Sequence, residues 1–370
     1  MQYNWQRPDW PDFRYGLSGL EEKLIQLAEG QGRISGMVKA LPEDFQLESL
    51  IDVMVAEAMK TSAIEGEHLS REDVLSSLRN QLGLNRFPEK IKDKRARGVA
   101  RLMVAGRESY AKPLTEKMLF DWHRMVMEPF VNLRKGQWRS GPESMQIIPG
   151  PVGREVVHFE APPSSEVPGE MKRFIGWFNQ TAPGKERAIL HAPVRSAIAH
   201  LYFETIHPFE DGNGRVGRAL SEKALSQGAG KPVLLSLSAA IAADRQAYYD
   251  ALKVGQRTNE VTPWICYFVH TIFKAQELVT RQIDFTIAKS RFFDRFSARI
   301  NPRQEKVLNR MFEAGPDGFK GGMSARKYVS IANVSKATAT RDLQELANMR
   351  ALVMVGRGRS TRYELNIANQ

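Results

Sequence analysis

A chain of 370 residues with a single cysteine can hold neither an intramolecular disulfide nor a cysteine-cluster metal site. That residue, Cys266, stands among Trp264, Ile265, Tyr267 and Phe268, a setting of core packing rather than of a reactive thiol. Long apolar runs are missing too. The most apolar stretch, residues 233–243, is interrupted by serines and too short to cross a bilayer. Residues 1–20 lack the continuous apolar centre of a signal peptide. The expectation is a cytoplasmic protein with no membrane partner. Acidic charge is in the minority: 42 Asp and Glu face 53 Lys and Arg, a formal net charge of +11. Such an excess serves solubility, and it also attracts phosphate-bearing partners, nucleotide or nucleic acid. The apolar fraction of 42% is that of a globular chain, and the length calls for two or three domains.

What the sequence does contain is concentrated in residues 207–218: His207, Pro208, Phe209, Glu210, Asp211, Gly212, Asn213, Gly214, Arg215, Val216, Gly217 and Arg218. Upstream, Val194, Ile198, Leu201 and Tyr202 fall on one helical face; downstream, Val216, Ala219, Leu220 and Ala224 do the same. The glycine-rich part therefore lies where one helix ends and the next begins. Free N–H groups and the positive dipole end at such a start favour an anion. Glycines let the backbone approach a phosphate and take φ > 0. Two arginines one turn apart can reach the same anion. A glycine-rich turn alone is an ordinary connection and a histidine alone an ordinary structural residue; their combination in one run points to a phosphate cradle with a histidine at its lip.

These twelve residues resemble, position by position, the H-x-F-x-[D/E]-G-N-G-R-x-x-R motif of the Fic family. The resemblance implies transfer of AMP from ATP to a Ser, Thr or Tyr hydroxyl of a target protein, or of the protein itself, with pyrophosphate leaving. In that reading His207 is the general base, since histidine is the side chain that titrates nearest neutrality. Asp211 holds Mg²⁺, and Asn213 with the N–H groups of Gly212 and Gly214 stabilises the α-phosphate. Arg215 neutralises the β-phosphate and Arg218 the γ-phosphate, with Val216 and Gly217 completing the nucleotide-binding run, while Phe209 anchors the loop. Family members often place a tyrosine pair and an amide near the adenine; Tyr248, Tyr249 and Gln256 match in spacing, with Gln standing where Asn is usual.

A second resemblance lies upstream. From about Leu47 a helix is expected with Ile51, Met54, Val55 and Ala58 on one face, and continuing that face reaches Ser62 and Glu65 before Gly66, a suitable terminator. A carboxylate on the apolar side of a helix needs a cationic partner. Thr61, Glu65 and Gly66 fit the inhibitory pattern [S/T]-x-x-x-E-[G/N] of many Fic proteins, which implies that Glu65 pairs with Arg218 and blocks the seat of the γ-phosphate. The resemblance also implies a strand-like flap, assigned to Val157, His158, Phe159 and Glu160, which would hold the target by main-chain pairing.

In chain order, residues 1–20 read as an extended arm, and helices are expected at 17–39, 92–109, 114–131, 167–179 and, as one or two segments, 263–296. The last seventy residues read as a separate module: a helix at 323–332, a turn at Asn333 and Val334, a helix from Lys336 capped by Ser335, and two β-prone runs joined by a basic Gly/Arg turn. This resembles a winged helix-turn-helix, with Lys336, Thr338, Thr340 and Arg341 exposed near the helix start. From residue 321 onward eight Lys and Arg stand against three Asp and Glu, which suits DNA, although such modules also dock proteins or dimerise. The expected fold is mainly α: an N-terminal helical region (1–85) carrying the inhibitory motif, a helical Fic core (86–290) with a short β-hairpin flap, and a small α+β winged-helix domain (300–370). Expected partners are ATP, an unidentified target protein, DNA through the C-terminal domain, and a second copy in a homodimer. Competing functions are a DNA-binding regulator whose Fic core senses nucleotide, transfer of a different phosphate-containing group, and removal of AMP with Glu65 positioning water.

Overall fold

The structure, a computed structural model, describes residues 2–141, 145–147 and 159–367. Its helices are α1 (Glu21–Lys39), α2 (Glu43–Ile64), α3 (Arg71–Gln81), α4 (Lys94–Glu108), α5 (Glu116–Met127), α6 (Val167–Gln180), α7 (Ala192–Ile206), α8 (Asn213–Ala229), α9 (Leu237–Ala243), α10 (Arg245–Gly255), α11 (Thr262–Phe296), α12 (Pro302–Phe312), α13 (Ala325–Ala332) and α14 (Lys336–Asn348). Strands β1 (Gln146–Ile147) and β2 (Phe159–Glu160) form one antiparallel pair, β3 (Leu352–Val355) and β4 (Arg362–Leu365) another. The mainly helical class is as expected. The compact units are cut elsewhere than at the expected boundaries: residues 1–33 with 50–279 form one, residues 34–49 with 280–370 the other. Among the described residues no helix is long and apolar enough to cross a membrane.

The first unit is organised around α7 and α8. Every residue of α7 from Val194 to Ile206 is buried, so the helix is enclosed all round rather than amphipathic. Leu20, Leu24, Leu27 and Ile64 from α1 and α2 and their flanks join Val194, Ile198, Leu201, Trp264 and Phe268 in one apolar core. Several polar groups on α7 and α8 are paired within this interior. Arg195 donates to the Phe178 carbonyl (2.6 Å) and the Gln227 amide (3.0 Å), and Ser196 donates to the Ser221 carbonyl (2.9 Å).

Local sequence accounts for many of the helix ends. Ser70, Thr115, Asp244, Ser324 and Ser335 each cap the N-terminus of the helix that follows, and Asn301 forms a capping box with Gln304. The Asp244 cap splits the stretch carrying Tyr248 and Tyr249 into α9 and α10, whereas residues 262–296 form a single helix. The N-terminal segment is not an extended arm. Asn4–Gln6 is a 3₁₀ turn whose Asn4 is fully buried, with its N–H on the Gln256 carbonyl at 2.9 Å. Trp10 and Phe13 pack edge-on against Tyr202. An aromatic-rich segment without helical periodicity reads as extended, but here its rings find a partner nearly two hundred residues away.

In the second unit Phe292, Phe296, Leu308, Met311, Tyr328, Leu343 and Leu352 form the core. Helix α13 ends at Asn333 in the left-handed region (φ 54°), α14 follows, and β3 pairs with β4 in the register Leu352↔Leu365.

The junction between α7 and α8 is a tight loop held from inside. The Asn213 amide accepts from the Phe209 N–H (2.9 Å) and donates to the Phe209 carbonyl (2.8 Å), both buried. Replacing Asn213 with Ala leaves two buried backbone groups unpaired, and urea denaturation should show a loss of about 1–3 kcal/mol. A methyl group on Gly98 would lie 2.2 Å from the Met125 carbonyl, so α4 meets α5 backbone to backbone. Gly98→Ala should therefore cost about 1–3 kcal/mol in the same assay, despite the better helix propensity of alanine.

Candidate active site

Helix α7 ends at His207, whose backbone turns into the left-handed region (φ 49°, ψ 60°) while its N–H still bonds the Phe203 carbonyl (2.9 Å). A non-glycine residue there is held by its surroundings. Arg139, almost fully buried, supplies much of the hold. It donates to the carbonyls of His207 (2.8 Å), Ile206 (3.2 Å) and Pro162 (2.6 Å) and to the Ser164 hydroxyl (2.9 Å). Its own N–H bonds the Pro208 carbonyl (2.8 Å). Burial lowers the Arg139 pKa to about 10, which leaves it charged at neutral pH.

Phe209 is buried and stacks on His123 with ring centroids 4.0 Å apart. His123 accepts from the Gly136 N–H at Nδ1 (2.8 Å) and meets the Asp211 carbonyl at Nε2 (3.0 Å). Burial drives its pKa down to about 4, so the ring is neutral and donates from Nε2. Gly212 then takes φ 78° as the N-cap of α8, which presents the N–H groups of that helix's first turn.

These elements wall a cavity of about 250 Å³. Among the described residues its lining includes His207, Glu210, Asp211, Gly212, Asn213, Gly214 and Arg218 from the motif, Glu65 from the end of α2, and Tyr248, Tyr249, Lys253 and Gln256 from α10 and its C-cap. Arg215, Val216 and Gly217 are not among the lining residues. Val216 is fully buried in the core, and Gly217 faces Glu204, so both pack between helices. Asn213 lines the cavity while its amide is taken by Phe209, so its side chain shapes the loop instead of being free for a phosphate. The Gln256 amide donates to the Glu204 carbonyl (3.2 Å), and the Tyr248 hydroxyl pairs with His200 Nε2 (2.8 Å).

Arg218 is buried to 1% exposure, and its pairing is specific. Nη2 meets Glu65 Oε1 at 2.8 Å and the Thr61 carbonyl at 3.0 Å, and Nε donates to the Thr61 hydroxyl at 2.8 Å. Burial opposes the charge on Arg218, but Glu65 outweighs it and raises the pKa further. Glu65 reaches over the start of α8: a methyl group on Gly214 would lie 2.2 Å from Glu65 Oε1. The carboxylate thus lies against the first turn of α8. Gly66 (φ 82°) turns the chain immediately after it, with the Glu67 N–H on the Ser62 carbonyl at 2.9 Å.

Glu67 went unnoticed in the sequence. It pairs with Arg215 at 2.9 Å, and burial pushes its pKa up against the pull of that arginine. Both motif arginines are therefore held by carboxylates from one turn, two residues apart. The only local signal was the Glu65-Gly66-Glu67 spacing. Arg139 and His123 were also missed, since nothing near them in the sequence marks them as partners of residues far along the chain. Of the expected flap, Val157 and His158 lie outside the described residues. Phe159 and Glu160 form β2 opposite Gln146–Ile147, with Phe159 edge-on to Tyr3 and the Glu160 carbonyl accepting from the Trp5 indole (2.8 Å).

Comparison with known proteins follows the same geometry. The Fic/DOC family matches residues 113–225, which contain the whole loop and the start of α8, and a domain of unknown function (DUF4172) matches residues 3–84. The protein adenylyltransferase Fic of Culex quinquefasciatus is 30% identical over 155 residues, which are 41% of this chain and 26% of that one. The protein of the same name from Nematostella vectensis is 27% identical over 155 residues, 42% of this chain and 31% of that one. The chain thus spans about a quarter to a third of the length of these curated relatives. A solved Fic family protein from Desulfovibrio desulfuricans G20 has the same fold at a TM-score of 0.53 and 21% identity, covering 94% of this chain and 97% of that one. Fic-1 from C. elegans is similar at a TM-score of 0.50 and 19% identity, covering 72% of each. The chain carries a Fic/DOC-family domain.

Proposed function

We propose that this protein transfers AMP from ATP to a hydroxyl group of a target protein, and of itself, and that Glu65 restrains the reaction by occupying Arg218. The observation that carries the reading is one cavity holding His207, Asp211, the N-terminus of α8 and Arg218, with an internal carboxylate seated on that arginine. The name protein adenylyltransferase Fic, borne by the relatives, supports the choice of AMP.

In this reading the triphosphate approaches the first turn of α8, where N–H groups and the helix dipole meet its charge. His207 takes the proton of the target hydroxyl, whose oxygen bonds the α-phosphorus as the bond to the bridging oxygen breaks and pyrophosphate leaves. Asp211 suits a magnesium ion: its side chain is 51% exposed and it lines the cavity. Among the described residues no three His, Cys, Asp or Glu cluster as metal ligands, and magnesium asks for only one or two carboxylates beside phosphate oxygens. When bound, the ion would neutralise phosphate charge. Arg218 serves the γ-phosphate only after Glu65 releases it.

The C-terminal unit is read as a winged helix, on the order α13, turn, α14, β3, β4, and DNA as its partner, on the exposed Lys336, Thr340, Arg341 and Arg357. Retention on DNA that weakens steeply with salt would support this, and none at low salt would assign the unit to protein docking.

Glu65→Gly should raise AMP transfer, read by mass spectrometry as a gain of one AMP less water after incubation with Mg-ATP. His207→Ala in that background should lower the rate about 10²–10⁴-fold. An unmodified Glu65→Gly protein, together with no labelled band in lysate supplied with α-labelled ATP, would sink the reading.

A further inference from the structure

An imidazole that accepts a proton at Nε2 must carry its other proton on Nδ1, and a buried Nδ1–H needs an acceptor. His207 Nδ1 is buried and has no hydrogen-bond partner. The carboxylate within ion-pair distance of it is Glu204, with Oε2 at 3.6 Å, one helical turn earlier on α7. The Glu204 side chain is 6% exposed, and its Oε1 is likewise buried without a partner. The unpartnered Nδ1 thus faces Oε2 of a carboxylate in the cavity lining whose other oxygen is itself unpaired.

The surroundings keep that carboxylate available. From α8, Gly217 makes the space for it: a methyl group there would lie 2.4 Å from Glu204 Oε1. The charged and titratable groups nearby are already committed. His200 uses Nε2 for Tyr248 (2.8 Å) and Nδ1 for Ser221 (3.1 Å), and Arg218 is held by Glu65 and Thr61. Burial alone would raise the Glu204 pKa, but the two imidazoles and Arg218 outweigh it and hold the group below its ordinary value. A buried carboxylate that stays ionised with no donor is costly, and the cost falls when a positive charge forms beside it.

We propose that Glu204 is the positioning residue of the catalytic histidine: it directs His207 Nδ1–H into the α7–α8 interior, leaves Nε2 for the target hydroxyl, and stabilises the imidazolium formed in transfer. This rests on His207 being the base. The 3.6 Å separation is longer than a hydrogen bond, and such contacts commonly tighten only when substrate is seated. In the step itself the hydroxyl proton goes to Nε2, the Nδ1 proton stays in place, and Glu204 remains ionised. This is the division of labour of a serine-protease triad, reached here within one helical turn.

The test reads the tautomer directly. In full-length protein labelled with ¹⁵N-histidine, the His207 signals are assigned by their loss in His207→Ala. Above neutral pH the wild-type ring should carry its proton on Nδ1, and Glu204→Ala should move it toward Nε2. In the Glu65→Gly background, Glu204→Ala should lower kcat for AMP transfer about 10²-fold or more, with KM for ATP unchanged. A wild-type proton on Nε2, an unaltered tautomer in Glu204→Ala, or an unaltered kcat would each overturn the proposal. If circular dichroism shows Glu204→Ala unfolded, the wild-type tautomer decides alone. Absence of transfer by Glu65→Gly would strike the AMP reading, while the nitrogen signals would still decide the role of Glu204.

Discussion

A guanidinium removed from water must find an anion, and Arg218 imposes that requirement on the whole first unit. It lies near the start of α8 at 1% exposure, and its anion comes from α2, more than 150 residues earlier. The pairing explains why α2 packs into the same core as α7: Ile64 is buried with Val194 and Leu201, which sets Glu65 over Gly214. Arg215 repeats the arrangement with Glu67. Charge that would attract an anion is balanced within the chain, by two carboxylates set two residues apart on one turn. Such pairs are costly to break one partner at a time, and they give a helix end a definite seat rather than a large net stabilisation.

The helix pair α7 and α8 carries a polar lining unusual for elements so deeply enclosed. Arg195, Ser196, His200 and Ser221 all find partners inside, which keeps the two backbones in a fixed relation. Beside this network Glu204 Oε1 and His207 Nδ1 are unpaired, as are the Tyr202 hydroxyl, Arg215 Nε and Glu222 Oε1. Arg139 then fixes the far side of the loop by bonding three successive carbonyls, from Ile206 to Pro208, through its side chain and N–H. A left-handed histidine is tolerated because those carbonyls have nowhere else to go.

Features that depend on neighbours in the chain were legible in the sequence. The helical character of α7 and α8, the glycine turns at Gly66 and Gly212 and the cap at Ser335 all follow from local spacing. The helix–loop–helix context of residues 207–218 could be read the same way. By itself, then, the sequence determined the mainly helical class and where the chemistry-bearing residues gather, because turns, caps and apolar periodicity act over a few residues.

Only the tertiary structure decided what each of those residues touches. Val216 and Gly217 belong to the same run as His207, yet a helix turns them away from the cavity. Asn213 lies in the cavity wall and still uses its amide for Phe209. Glu67, Arg139 and His123 meet their partners across 148, 68 and 88 residues, separations at which no sequence spacing carries information. Glu204 is only one turn from His207, but its meaning depends on the gap that Gly217 leaves in another helix. The physical reason is common to all: a side chain's electrostatic role is set by what is buried with it, and burial is decided by packing between elements.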